Sequence, residues 1–287
     1  MSRSVLVDTT RCIGCRACQV ACKQENELPA EKTEFFAKEG GYQNPGALSA
    51  NTFSLVTFFE TMKEGHLKWV FAKRQCMHCL EPSCVSACIV GALKKTESGA
   101  VVYDESRCIG CRYCMVACPF EVPTFEWSKL VPFIRKCTFC SSREANTAPP
   151  TELNGAPLDE AATARHMATQ TQPACSKVCP TGAIRFGERS DLLAEARKRI
   201  NGAPDKYQDH IYGEKEAGGT SWLYLSAVPF ETLDFPTNLG NRPYPSYTRS
   251  AMDAVPAVVL GAGALLGGAF WFSKRRAAVE DAERKEG

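Results

Sequence analysis

Residues 107–119 read RCIGCRYCMVACP, and residues 11–22 read RCIGCRACQVAC. Over the twelve residues that they share, the two segments agree at all but two positions. Both contain the spacing C-x2-C-x2-C-x3-C, and a short apolar stretch precedes each one, at residues 5–7 and 101–103. The chain therefore contains a duplicated cysteine module, and its fold is expected to be organised around the two copies.

Every cysteine of the chain belongs to a module of this kind. The sixteen cysteines sort without remainder into four groups: Cys12, Cys15, Cys18, Cys22; Cys76, Cys79, Cys84, Cys88; Cys108, Cys111, Cys114, Cys118; and Cys137, Cys140, Cys175, Cys179. A disulfide framework is typical of short secreted chains and does not explain this spacing. Zinc ribbons are the stronger alternative, because C-x2-C pairs also form sites with four thiolate ligands.

The spacing favours iron–sulfur clusters over zinc. A [4Fe–4S] cube needs four soft anionic ligands, and a loop with two residues between successive cysteines can fold three sulfurs around one face of the cube. The fourth cysteine then binds a neighbouring cube, whereas zinc ribbons leave that cysteine unexplained. Gly14 and Gly110 allow the close approach of the backbone that such a loop requires. Two groups match the pattern fully and two are variants of it.

The sequence between the groups predicts inserted elements. Residues 52–60 and 66–73 are predicted to form a hairpin whose aromatic side chains pack in the core: Phe53, Phe58, Phe59, Trp69 and Phe71. Residues 141–173 lack clear periodicity and are predicted to form a surface loop. Residues 190–200 are predicted to form a short helix capped by Ser190.

The charge composition limits which kinds of partner are expected. The 34 Lys and Arg nearly balance the 32 Asp and Glu, so charge gives no reason to expect a nucleic-acid partner. The basic residues beside the ligands are expected to offset the negative charge of thiolate-ligated cubes: Arg11, Arg16, Lys23, Arg74, Arg107, Arg112, Lys136 and Lys177. The four histidines form no acid–base or nucleophilic pattern, and ordinary surface or packing roles are expected for them: His66, His78, His166 and His210.

The C-terminal region predicts one transmembrane helix. Residues 254–272 read AVPAVVLGAGALLGGAFWF, carry no charge and are long enough to span a hydrocarbon core of roughly 30 Å. Gly263 and Gly267 form a G-x-x-x-G step that suits packing against another membrane helix. Three basic residues follow at 274–276, so the tail is expected to be cytoplasmic and the cysteine modules to lie on the opposite side of the membrane. Residues 1–8 have no export signal, which suggests that a partner carries the folded protein across.

The spacing of all four groups, the Cys22-Lys23-Gln24 continuation, Gly213 with Gly218-Gly219, and the single C-terminal membrane helix resemble the β subunit of membrane-bound respiratory formate dehydrogenases. The wider family contains the four-cluster ferredoxin-like subunits of molybdenum or tungsten oxidoreductases and of membrane-bound hydrogenases. The resemblance is specific for the clusters and much less specific for the electron donor.

The resemblance implies four [4Fe–4S] clusters and a pairing of groups one with four and two with three. Carried onto this sequence, Cys12, Cys15, Cys18 and Cys179 hold one cube, and Cys137, Cys140, Cys175 and Cys22 hold its neighbour. Cys76, Cys79, Cys84 and Cys118 hold a third, and Cys108, Cys111, Cys114 and Cys88 hold the fourth.

The expected fold is α+β, with duplicated two-[4Fe–4S] ferredoxin-like modules, inserted loops, a hairpin and one C-terminal transmembrane helix. The expected domains are a four-cluster domain at residues 1–200 and an extended partner-wrapping segment at 201–253. They are followed by the transmembrane helix at 254–273 and a cytoplasmic tail at 274–287.

The expected function is non-catalytic electron transfer in the bacterial inner membrane, in anaerobic respiration. Partners implied by the resemblance are a large molybdopterin catalytic subunit, formate dehydrogenase first among them, and a quinone-linked membrane subunit such as a cytochrome b. An equivalent subunit of a membrane-bound nickel–iron hydrogenase, or of another molybdoenzyme, remains an alternative. A zinc-stabilised scaffold is a second alternative, from a different class.

Overall fold

The computed structural model describes residues 3–33, 43–63, 65–127, 129–130, 132–146, 152–153, 156–157 and 159–286. The chain divides into two compact units, Met1–Tyr244 and Pro245–Gly287. The strands are β1 (Arg3–Asp8), β2 (Ser54–Lys63), β3 (His66–Gln75), β4 (Leu93–Lys95), β5 (Val101–Tyr103), β6 (Thr124–Phe125), β7 (Ile134–Arg135), β8 (Glu152–Leu153), β9 (Ala156–Pro157), β10 (Ile184–Glu188) and β11 (Trp222–Leu225). The helices are α1 (Ala17–Glu25), α2 (Ser83–Ser86), α3 (Tyr113–Val116), α4 (Ser141–Asn146), α5 (Glu160–Thr171), α6 (Ala174–Lys177), α7 (Arg189–Gly202) and α8 (Tyr244–Glu286).

A three-stranded sheet in the order β10-β1-β11 lies at the centre of the first unit. β1 is antiparallel to β10 and parallel to β11, and Val5 is opposite Phe186 on one side and Trp222 on the other. Both faces of β1 are buried because its alternate side chains enter two different cores. Leu6 packs against α7, whereas Val5 and Val7 belong to the larger core that contains Cys18, Cys137 and Cys175.

The predicted hairpin is present and lies close to its expected bounds. β2 and β3 pair antiparallel from Ser54 opposite Gln75 to Lys63 opposite His66. The half of β3 near the turn is exposed, and the half that leads to Cys76 is buried. Phe53 is buried and Phe58, Phe59 and Phe71 pack against the core, as expected, but Trp69 is half exposed.

Two local predictions were wrong. Within residues 141–173, α4 and α5 occupy most of the described part, because strong helix formers such as Ala, Glu, Met and Gln dominate residues 160–171 even without a clear apolar face. Residues 147–151, 154–155 and 158 of that predicted loop lie outside the described residues. Ser190 lies inside α7 and its hydroxyl donates to Asp191, so Glu188 takes the cap position and Ser190 does not.

Residues 201–253 are more involved in the core than expected. The segment supplies β11, whose Trp222, Leu223, Tyr224 and Leu225 are all completely buried. β11 pairs with β1, so this part of the segment completes the sheet of its own unit. The unit that contains the four cysteine groups therefore extends past residue 200 to Tyr244.

The second unit consists of α8 alone. This helix is longer than the predicted membrane span, because it begins before residue 254 and continues through the basic residues to Glu286. Among the described residues it is the one helix that is long and apolar enough to cross a membrane, by length and composition. Val258, Leu265 and Phe270 are exposed on it.

Candidate functional site

The four cysteine groups share one backbone feature. The residue before the second cysteine has a left-handed φ in every group: +66° at Gly14, +48° at His78, +70° at Gly110 and +61° at Phe139. Glycine adopts this conformation freely, whereas histidine and phenylalanine adopt it under strain. The common turn therefore appears in the variant groups two and four as well, although their sequences lack the glycine.

The turn brings backbone N–H groups to the first sulfur. The N–H of Gly110 donates to Cys108 Sγ and that of Phe139 to Cys137 Sγ, both at 3.4 Å. A further bond of this kind lies outside the turn, at the fourth cysteine of group two, where Ala92 N–H donates to Cys88 Sγ at 3.2 Å. Such N–H to sulfur hydrogen bonds stabilise the charged form of a thiolate and so suit a ligand of a metal cluster.

A short helix carries the third cysteine of each group, and in group one the helix is long enough to include the fourth as well. The third cysteine lies within α1, α2, α3 or α6, and the fourth follows four residues later. α1 packs against α6 and α2 packs against α3. Group one is therefore next to group four, and group two is next to group three.

The sulfurs that interact across these contacts fall into sets that mix two groups. Burial raises the pKa of Cys12, and the neighbouring Cys179 and Cys15 raise it further. Burial raises the pKa of Cys140 to about 12, with Cys175 and Cys22 adding to it.

The same pattern holds for the other two groups. Burial raises the pKa of Cys79 well above its ordinary value, with further increases from Cys76, Cys118 and Cys84. Burial raises the pKa of Cys114 to about 11, followed by the effects of Cys111, Cys108 and Cys88. In each set the fourth member comes from the partner group.

Three further interactions link the sets in a row. After burial and Lys73, Cys175 has the largest effect on the pKa of Cys18. Burial raises the pKa of Cys137, and Cys76 raises it further. Burial likewise raises the pKa of Cys84, and Cys114 is among the sulfurs that add to this. The row runs from the Cys12 set through the Cys140 set and the Cys79 set to the Cys114 set.

The residues present fit iron–sulfur clusters. All sixteen cysteines are free thiols, which excludes the disulfide framework. Four soft thiols per set are the donors that a [4Fe–4S] cluster requires.

The ends of the row reach the surface and the middle does not. Cys15 and Cys111, one in each outer set, are exposed, whereas Cys22, Cys137, Cys140 and Cys175 of the second set are all buried. Exposed apolar side chains surround the outer loops: Ile13, Val20 and Val178 at one end, and Ile89, Ile109, Tyr113 and Val116 at the other. Scattered surface apolar residues are common, but here they coincide with the two exposed ligands.

The cations expected to offset the cluster charge are mostly at the surface. Arg16 lies over the ring of Phe58 and Arg112 over that of Trp127. Lys23 pairs with Glu31, and Arg107 pairs with Asp104. Of the predicted set, Lys136 is buried, and its Nζ donates to the carbonyls of Val101 and Cys137 at 2.5 and 3.1 Å.

Sequence reasoning missed two lysines beside the cysteine sets. Lys95 donates to the carbonyls of His78 and Gly99 at 2.9 and 2.6 Å, and burial lowers its pKa to about 8. Lys73 is 2% exposed, on the buried half of β3. Strand alternation and the adjacent Cys76 are the signals that could have indicated its burial.

His78 also has a less ordinary role than expected. It is completely buried, and its Nδ1 accepts from the N–H of Val101 at 2.8 Å. Burial lowers its pKa well below the ordinary value, with Lys136 and Lys95 adding to the effect, so the ring is neutral. Because Nδ1 accepts, Nε2 carries the proton, and a backbone contact with Cys137 partly offsets the fall in the pKa of His78. His210, by contrast, pairs with Glu216 at 2.7 Å.

Comparison with protein families identifies the cysteine modules. The 4Fe-4S dicluster domain matches residues 11–92 in one form and residues 67–160 in another. Two dicluster domains imply four [4Fe–4S] clusters, in agreement with the sixteen cysteines.

Several relatives match most of the chain. A protein of Nitratidesulfovibrio vulgaris is 42% identical over 286 residues, which are 99% of this chain and 70% of that protein. The hydrogenase-2 operon protein HybA of Escherichia coli O157:H7 is 36% identical over 263 residues, 82% of this chain and 73% of its own length. The iron-sulfur subunit of the nitrate-inducible formate dehydrogenase of Escherichia coli K12 is 34% identical over 223 residues, 77% of this chain and 66% of its own length.

Proposed function

The chain belongs to the family of ferredoxin-like iron–sulfur subunits of formate dehydrogenase- and hydrogenase-type complexes, and on this premise we propose that it relays electrons through four clusters between two partners. One partner is a large molybdopterin catalytic subunit of a formate dehydrogenase. The other is an integral membrane subunit that exchanges electrons with quinone. In this proposal the chain is the electron-transfer subunit and carries no catalytic residue.

One observation carries this proposal. The interacting sulfur sets form a row that is buried in the middle and has one exposed cysteine at each end, Cys15 and Cys111. A protein that stores electrons, or uses a cluster to bind one substrate, needs one accessible cluster. A relay between two partners needs two accessible ends, and the exposed apolar side chains around each end suit protein contact there.

The proposed ligand sets are those that the resemblance implies. The observed interactions support Cys12, Cys15, Cys18 and Cys179 for the first cluster and Cys137, Cys140, Cys175 and Cys22 for the second. They likewise support Cys76, Cys79, Cys84 and Cys118 for the third and Cys108, Cys111, Cys114 and Cys88 for the fourth. When bound, each cluster supplies a one-electron carrier.

In this arrangement the protein holds neighbouring clusters close together. Cys18 and Cys22 lie on the single helix α1 but belong to two different proposed sets. About one turn of helix therefore fixes the separation of two clusters. In the other three groups the third cysteine lies on α2, α3 or α6 and the fourth lies two residues beyond the end of that helix. Electron transfer over short steps depends on such fixed spacing.

The C-terminal helix supports a membrane location. We place α8 across the bacterial inner membrane, with the basic residues 274–276 on the cytoplasmic side and the cysteine modules on the periplasmic side. The exposed glycines Gly263 and Gly267 then provide a flat surface for a helix of the membrane partner.

A hydrogenase-type complex is the second candidate. HybA is similar over a larger share of this chain than the formate dehydrogenase subunit is, 82% against 77%. In that case the catalytic partner contains nickel and iron, while the relay and the membrane partner keep the same roles. The cysteine sets are the same for both candidates.

Anaerobic purification of the complex in mild detergent distinguishes these functions. We expect about sixteen iron per chain, and visible absorption that dithionite bleaches. Molybdenum or tungsten with a large co-purifying pterin protein supports the formate dehydrogenase-type assembly, whereas nickel supports the hydrogenase type. Zinc in place of iron would contradict the relay, as would a chain with full iron content that cannot pass electrons from the catalytic partner to a quinone analogue.

A further inference from the structure

Lys73 carries a positive charge into the core between two of the cysteine sets. Its Nζ donates to Gln75 Oε1 at 2.8 Å and lies 4.6 Å from the centre of the Trp222 ring. Gln75 donates to the hydroxyl of Tyr224 at 2.5 Å, and that hydroxyl donates to the carbonyl of Lys73 at 2.9 Å. A neutral network therefore fixes the direction of the ammonium group.

This network does not neutralise the charge. A buried ammonium is costly unless anionic groups lie near it. Among the residues that the structure describes, neither Asp nor Glu forms an ion pair with Lys73, and Gln75 is the one hydrogen-bond acceptor of its Nζ. The charge of this ammonium must therefore be offset by anionic groups other than carboxylates.

The anionic groups within reach of this charge are sulfurs from two neighbouring sets: Cys175, Cys18, Cys137 and Cys22. The Trp222 ring beside the ammonium packs on Phe139, which lies between Cys137 and Cys140. The position of β3 agrees with this, because the strand contacts the 3₁₀ turn Thr9–Arg11 that leads into Cys12, and its Phe71 packs on Gly14 of the first loop. Lys73 thus lies where the first and second proposed clusters approach each other.

Resting on the ligand sets of the proposed function, we propose that Lys73 is the shared counter-ion of the first and second clusters and raises the reduction potential of both. Each thiolate-ligated cluster is negative, and it gains a further negative charge on reduction. A cation held in a poorly screened interior favours the reduced form, whereas the exposed arginines near the outer loops are screened by water and salt. Three of the four sulfurs belong to the second cluster, so the second cluster is the more affected.

Three variants of the purified complex test this inference. Lys73→Met removes the charge and keeps the length of the side chain, Lys73→Arg keeps the charge, and Lys68→Met removes an exposed lysine from the same strand as the matched control. Redox titration followed by electron paramagnetic resonance gives the midpoint potential of each cluster. Iron content and the number of cluster signals, measured on the same samples, test the four-cluster function separately from the role of Lys73.

We expect Lys73→Met to lower the midpoint potentials of two clusters and to leave the other two unchanged. The midpoint potentials of Lys73→Arg should be much closer to those of the wild type, and those of Lys68→Met should equal the wild-type values. If Lys73→Met loses iron, the inference requires that about half of the iron remain and that Lys73→Arg restore the rest. Unchanged potentials in Lys73→Met, equal shifts in all four clusters, loss of all iron, or an arginine variant that behaves like the methionine variant would each overturn it.

Discussion

The rings of His78 and Phe139 lie 4.9 Å apart, although the two residues belong to different cysteine groups. Each occupies the position before the second cysteine of its group, and each has a left-handed φ. Phe139 also packs edge-to-face on Trp222 and Phe186, so it joins the second and third sulfur sets to the central sheet. The two loops that lack glycine at this position thus use its side chain to hold the middle of the row together.

Truncation of Phe139 is expected to loosen this junction. Phe139→Ala removes a buried aromatic side chain, which costs about 3 to 5 kcal/mol of stability, while the backbone strain stays the same because alanine also has a Cβ. Phe139→Leu has the same backbone strain and fills most of the space, so it is the matched control. The rate at which heated complex loses its visible absorption measures the effect. An alanine variant as long-lived as the leucine variant would show that the ring does not join the loops.

Equivalent glycines in the two repeats are expected to respond differently to alanine. Gly14 and Gly110 both have a left-handed φ, so alanine costs about 1 kcal/mol at either position. At Gly14 a Cβ would also lie 2.9 Å from the ring of Phe71, whereas at Gly110 its nearest neighbour is the carbonyl of Pro132 at 3.7 Å. Gly14→Ala should therefore lose more iron than Gly110→Ala during aerobic incubation. Equal losses would contradict the packing of Phe71 on the first loop.

Single serine variants are expected to affect clusters by set and not by position in the sequence. Cys12→Ser and Cys179→Ser should alter the same electron paramagnetic resonance signal, because these sulfurs interact. Cys175→Ser should alter the signal that Cys140→Ser alters, although Cys175 is only four residues from Cys179. If Cys179→Ser and Cys175→Ser changed one and the same signal, the proposed exchange of the fourth ligand between groups would be wrong.

The sequence alone predicts those parts of the site that depend on local chemistry. Sixteen cysteines in four spaced groups indicate the clusters, because the geometry of a [4Fe–4S] cube restricts the cysteine spacing of a loop that can bind it. The hairpin is predictable for a similar reason, since its two arms alternate in polarity around a short turn. The apolar run in α8 is predictable because the hydrocarbon thickness sets its length.

The parts that depend on distant contacts are not predictable in this way. Lys73 resembles any lysine in a strand until Trp222 and Gln75 are known to surround it. The role of β11 was hidden because its pairing with β1 joins residues more than 200 positions apart. Ser190 fits a helix cap by residue type, but β10 runs directly into α7 and moves the start of the helix to Arg189.

An ion pair between helices is expected to make the stability of the second set depend on pH. Arg143 Nε and Nη2 donate to the two carboxylate oxygens of Glu25 at 2.7 and 2.5 Å, which ties α4 to α1 next to Cys22 and Cys140. These hydrogen bonds lower the pKa of Glu25. Because the folded pKa is below the unfolded one, the stabilisation is present above about pH 4.3 and is lost as the pH falls through the folded pKa.

Glu25→Gln should therefore lose about 1 kcal/mol of stability at neutral pH. Its difference from the wild type should shrink under acid, where the wild-type carboxylate is protonated too. Glu27→Gln changes an exposed carboxylate just beyond the same helix and is the control. The decay rate of the visible absorption at several pH values gives the comparison. A difference between wild type and Glu25→Gln that stays constant with pH would exclude the ion pair as its source.

The basic residues that follow the apolar part of α8 are expected to set its orientation. Lys274, Arg275 and Arg276 are exposed, whereas Arg249 and Asp253 precede the apolar run with no net charge. Replacing all three by glutamine should lower the fraction of chains whose C-terminus is cytoplasmic, because short basic flanks are retained on that side. Replacing Arg284 and Lys285, which lie farther along the same helix, should have a smaller effect. A reporter that is active only in the cytoplasm, fused after Gly287, measures this fraction, and a wild-type fusion without activity would reverse the proposed orientation.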